Sequence, residues 1–81
     1  MKTEEQKIFS SEHNCYFSIL FVKKAYNLYI NYCKKHSLIP DYTKSEFEDL
    51  LLEDNFPEEF MVKLLYQSEF EGINIEEFKL D

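Results

Sequence analysis

The chain has 81 residues, nine Lys, no Arg and sixteen acids, for a net charge of −7 and a pI near 4.7. That length holds one small domain, and a chain so short buries only ~60–65% of its unfolded surface, so its core is thin. Eight Phe and six Tyr compensate by bulk, while one Gly and two Pro exclude a turn-rich all-β fold, and the apolar content excludes a disordered tail.

In chain order, residues 1–10 read as a polar, loosely held N-terminus. Ser10 or Ser11 is the expected N-cap of a long first helix over 11–36. Ile19, Val22, Tyr26, Tyr29, Ile30 and Cys33 recur at three- and four-residue spacing, which marks one buried face. Lys34, Lys35 and His36 suit the negative end of the helix dipole, and Pro40 enforces a stop. Thr43-Lys44-Ser45-Glu46 fits a capping box and starts a second helix over 43–54, with Phe47, Leu50 and Leu51 inward. Pro57-Glu58-Glu59 starts a third segment over 57–70. Helix is the preferred reading there, although Phe60–Gln67 also fits a strand. Gly72, the sole Gly, marks a positive φ, either at a helix C-cap or in a hairpin turn. The alternation of Ile73 and Ile75 predicts a short strand within 72–81, with Lys79–Asp81 frayed. The expected fold is therefore mainly α: a compact three-helix domain with a short C-terminal hairpin.

Charge is unevenly distributed, at +3 over residues 1–40 and −10 over 41–81. The absence of Arg argues against sequence-specific reading of duplex DNA, because Arg supplies most bidentate contacts to guanine. Glu4 and Glu5 stand where a secretory signal would be basic, and the run Tyr16–Val22 is too short to cross a membrane. The expected compartment is the cytoplasm, with Cys15 and Cys33 reduced and no membrane contact.

Four constellations bear on chemistry. His13-x-Cys15 and Cys33-x-x-His36 hold a zinc ligand set, but a continuous helix of twenty residues separates its ends by ~30 Å, so no metal site is expected within one chain. Paired carboxylates such as Glu58-Glu59 lack any sign of a cleft, so no enzyme activity, catalytic residue or cofactor is expected. Lys23, Lys24, Lys34 and Lys35, with Tyr29 among the interleaved tyrosines, form a basic helix that could touch a partner or, weakly, single-stranded nucleic acid. Glu46, Asp49, Glu53, Asp54, Glu58 and Glu59 form an acidic strip that could meet a basic partner.

The segment Ala25-Tyr26-x-x-Tyr29-x-x-Tyr32-Cys33, then Pro40, then Thr43-Lys44-x-x-Phe47-x-x-Leu50-Leu51, resembles the C-terminal winged-helix domain of phage and plasmid primase-helicases. Phe70-x-Gly72-Ile73 is similar to the start of that family's last strand. The resemblance implies a winged-helix-like fold and an accessory protein of a mobile element that docks on a replication enzyme. Catalysis in that family lies in other domains, so no catalytic residue carries over. The family's second and third helices are usually basic and these are acidic, which points away from operator binding.

Two functions are carried forward. One is a non-enzymatic protein-binding module in replication or DNA handling, docking on a larger nucleic-acid enzyme. The alternative is an acidic, phage-type inhibitor or immunity protein that blocks a basic surface as a DNA mimic. Fourteen aromatics in so small a chain also leave room for a homodimer patch.

Overall fold

A computed structural model describes residues 7–52 and 56–80. The elements are β1 (Lys7–Ser10), β2 (Cys15–Ser18), α1 (Ile19–Lys35), α2 (Lys44–Leu52), α3 (Glu58–Phe70), a 3-10 turn over Ile75–Phe78, and β3 (Lys79–Leu80). The domain is mainly helical, with three helices against a small antiparallel sheet of order β1-β2-β3. This is consistent with a winged-helix-like arrangement. The C-terminal strand forms the small antiparallel pair with β2, Tyr16 opposite Leu80 and Phe17 opposite Lys79.

The first helix starts later than its periodicity suggests. Residues 11–18 are a turn and a strand, and the N-cap is Ser18, whose Oγ accepts from Phe21 N at 3.2 Å, rather than Ser10 or Ser11. Lys7–Ser10 is likewise a strand and not a loose leader. Two features override the helical reading. Asn14 has φ 53°, a left-handed conformation that Asn tolerates and that ends a helix. The resulting hairpin turns Ile8, Ser10 and Phe17 inward, with Ile8 opposite Phe17. Strands of four residues are too short to show their period in a sequence scan.

The hairpin is fastened to α3 by one carboxylate. Glu58 Oε2 accepts from Ser10 Oγ at 3.2 Å and from Glu12 N at 3.0 Å, and Oε1 accepts from Ser11 N at 3.1 Å. Glu58 stands in the first turn of α3, where negative charge also suits the helix dipole. The sheet's inner face continues into a ring stack. Phe17 lies 5.6 Å from Phe21, and Phe21 lies 4.5 Å from Phe78, nearly parallel. That stack carries the C-terminal segment onto β2. The strand expected near Ile73–Ile75 falls instead at Lys79–Leu80, because Ile75 turns inward in the 3-10 turn and is fully buried.

Both long helices end in Schellman motifs. In α1, Leu38 N donates to Cys33 O at 2.7 Å and Ser37 N donates to Lys34 O at 3.3 Å, with Ser37 at φ 57°. In α3, Ile73 N donates to Ser68 O at 3.0 Å and Gly72 N donates to Glu69 O at 2.9 Å, with Gly72 at φ 93°. Gly72 is thus a helix cap rather than a hairpin turn, and Phe60–Gln67 is helix. At α2 the capping box forms as its sequence requires: Thr43 N donates to Glu46 Oε1 at 2.9 Å and Glu46 N donates to Thr43 Oγ1 at 3.2 Å. Positions 53 and 54 of the expected second helix lie outside the described residues.

Two outcomes follow for stability. Replacing Glu58 by Ala removes the carboxylate acceptor of the buried Ser10 hydroxyl, leaving only the longer approach to His13 Nδ1 at 3.4 Å, and frees the Ser11 and Glu12 amides; it should cost about 1–3 kcal/mol, read by urea denaturation. Ser37→Gly should stabilise by about 0.5–1 kcal/mol, because Gly adopts the left-handed cap without the steric penalty that Ser bears.

Candidate functional site

Tyrosines of α1 meet the loop that follows the helix. Tyr26 Oη donates to Tyr42 O at 2.7 Å, and Asp41 N donates to Tyr29 Oη at 2.9 Å. Around these bonds the rings close a block: Tyr26 stacks on Phe47 of α2 at 4.0 Å with planes 7° apart. Phe60 of α3 meets Tyr29 edge-on at 5.4 Å and Tyr42 at 4.7 Å. Burial pushes the phenols of Tyr26 and Tyr29 above their ordinary 10.0. Tyr29 is therefore a core strut and offers no ring for stacking at the basic helix surface.

The fastened loop carries exposed apolar residues. Ile39 is 90% exposed and Leu38 51%, and across from them on α3 Tyr66 is 70% and Phe70 71% exposed. An open cleft of about 360 Å³ lies between α1, this loop and α3, lined by Tyr29, Tyr32, Cys33, Leu38, Ile39 and Tyr66 among others. Phe70 adjoins it, its ring edge-on to Tyr32 at 6.4 Å, and the His36 ring lies 4.4 Å from Tyr32. At the lower end Lys63 pairs with Asp41, and this ion pair, shared by both walls, separates the apolar cleft from a more polar one beside Pro57 and Glu59. The hydrogen bond to Asp41 raises the Lys63 ammonium above its usual range. A cleft of this kind can hold an apolar side chain or helix edge.

The sequence-expected site residues are scattered by comparison. Lys23, Lys24, Lys34 and Lys35 are exposed on the outer face of α1. Of the acidic strip, Glu58 is half-buried and committed to the β1–β2 turn, and Glu46 is committed to its own capping box, although exposed. Asp49 and Glu59 face solvent, and Glu53 and Asp54 lie outside the described residues. No sequence pattern gives Leu38, Ile39 or Tyr66 a site role, and Phe70 stands out only in the Phe70-x-Gly72-Ile73 motif. The available signal was the apolar pair Leu38-Ile39 wedged between a helix end and Pro40, where no core period continues.

Among the described residues no group of His, Cys, Asp and Glu can hold a metal, with His13 and Cys15 at the hairpin and Cys33 and His36 at the far end of α1. Burial raises the Cys15 thiol above its ordinary 9.0, with the nearby Lys79 charge opposing, which is the reverse of an activated nucleophile. No described helix is long and apolar enough to cross a membrane. No family model, curated protein or solved structure matches the chain.

The buried phenols set a pH limit. The folded chain keeps phenol protons that the unfolded chain releases, so this contribution is whole below pH 10.0 and is lost as pH rises above it. The urea midpoint should fall above pH 10, and less steeply in Tyr29→Phe than in the wild type. By contrast, Ile39→Asp and Tyr66→Ala should change stability by no more than about 0.5 kcal/mol, because both side chains are mainly in water.

Proposed function

We propose that the protein is a small non-enzymatic binding module that docks on a larger protein through the cleft between α1, the Leu38–Asp41 loop and α3. The observation that carries this reading is the cluster of Leu38, Ile39, Tyr66 and Phe70 held in water around one concavity. Apolar groups exposed together, rather than singly, mark interaction surfaces. Aromatic anchors at the centre of such a surface carry most of its binding energy.

The occupant that suits the cleft is an apolar helix edge or loop of another protein. His36 stands at the α1 rim against Tyr32, while Asp41 is already paired with Lys63. The resemblance of residues 25–51 to the primase-helicase winged helix supports a replication or DNA-handling enzyme of a mobile element as that partner. The acidic-inhibitor reading draws its support from the exposed Glu46, Glu48 and Asp49 on α2, and charge reversal there tests it.

A photo-crosslinking amino acid placed at position 39 or 66, and at the exposed Glu77 as control, separates these readings in the source cell. The docking reading expects one discrete adduct at 39 and 66, absent at 77 and abolished by Phe70→Asp. It also expects that adduct to be a replication or nucleic-acid enzyme. Adducts at 77 equal to those at 39, or an adduct that is only a second copy of this chain, would overturn it.

A further inference from the structure

The outer face of α1 is a second surface, distinct from the cleft. α1 carries four lysines and no carboxylate, in a protein whose net charge is −7. Lys23 and Lys34 are three turns apart, roughly 16 Å along the axis, and Lys24 and Lys35 repeat that spacing one position on. The two pairs form rails about 100° apart around the helix, and the strip between them holds Leu20, Asn27 and Asn31, all exposed.

Local structure explains only half of this pattern. Lys34 and Lys35 lie in the last turn, where the helix dipole stabilises them. Lys23 and Lys24 lie toward the opposite end, which offers no such stabilisation. Their neighbours three and four residues away are Ile19, Leu20, Phe21, Tyr26, Asn27 and Leu28, so no carboxylate on the helix pairs with them. Among the described residues, none of the four lysines is ion-paired; the two bridges found are Lys63–Asp41 and Lys79–Glu76.

From this we infer that the outer face of α1 binds the phosphate backbone of duplex nucleic acid without reading its sequence. A protein interface keeps an apolar centre and places its charges at the rim. Within the span of the rails the strip is Asn27 and Asn31, exposed Leu20 lies a turn before Lys23, and the rails are cationic, the polar and positive character of a phosphate-tracking surface. Single-strand binders add aromatic platforms for the bases. Of the α1 tyrosines, Tyr26 and Tyr29 are buried and Tyr32 lines the cleft against His36 and Phe70, so the duplex is the better match. Lys without Arg suits point contacts to phosphate and leaves base edges unread. Acids elsewhere on the domain oppose the contact only within a Debye length, ~8–10 Å at physiological salt. This surface does not depend on the cleft, so the two assignments fail separately.

Fluorescence anisotropy with a labelled 20-bp duplex, a dT20 single strand and polyglutamate as competitor tests the inference on the full chain. Four phosphate contacts predict a slope of log Kobs against log salt of about −3.6, falling to about −1.8 in Lys23→Gln/Lys24→Gln and to near zero when all four lysines are Gln. Two duplexes of unrelated sequence should bind equally, and Ile39→Asp should bind the duplex like the wild type. Circular dichroism establishes that the variants remain folded. No duplex binding at low salt, binding unchanged in the fourfold variant, tighter binding to dT20, or equal competition by polyglutamate would each overturn it.

Discussion

Two phenol hydroxyls hold the rest of the arrangement in place. Tyr26 and Tyr29 are one turn apart on α1, and each reaches the backbone of the loop beyond that helix, at Tyr42 O and Asp41 N. A phenol buried without a partner costs free energy, and a loop backbone buried without one costs a similar amount. Pairing them settles both needs at once. The loop then has one course, α2 starts where Tyr26 can stack on Phe47, and Asp41 is placed for Lys63 of α3. Leu38 and Ile39, upstream of these anchors, are left in water.

Glu58 does the equivalent work at the other end of the molecule. Its carboxylate satisfies the turn of the N-terminal hairpin while standing at the positive end of α3. With the Phe17–Phe21–Phe78 stack, it joins the first and last described segments around the helices. Among the described residues no buried side-chain polar atom lacks a partner, so the thin core is closed by hydrogen bonds as well as by aromatic area. Some of the acids that look like one surface in the sequence are in fact local fastenings.

Sequence legibility followed the length of each signal. The capping box at Thr43–Glu46, the buried stripe of α1 and the third helix were legible because several residues repeated one period or one motif. The hairpin was not, since its strands have four residues each and its turn is set by a single left-handed Asn14 and a carboxylate 44 positions beyond it. The lysine rails were visible as residues, but the role of the tyrosines between them depended on which way each ring turned. Tyr29 and Tyr32 differ by three positions, yet Tyr29 turns into the core and Tyr32 lines the cleft rim. Helical spacing alone cannot separate neighbours that flank the boundary of a buried face. The cleft leaves no local sequence pattern because its walls come from three separate segments.

The account gives the domain two independent faces: an apolar cleft shaped by the anchored loop, and a cationic helix face behind it. Both depend on α1 being fixed by its own tyrosines. The most direct test is hydrogen exchange at the Asp41 amide, followed by NMR in the wild type and in Tyr29→Phe. The account predicts a protected amide in the wild type that exchanges much faster in the variant, while amides in the middle of α1 keep their protection. An Asp41 amide that exchanges freely in the wild type, or one that is equally protected in Tyr29→Phe, would contradict it.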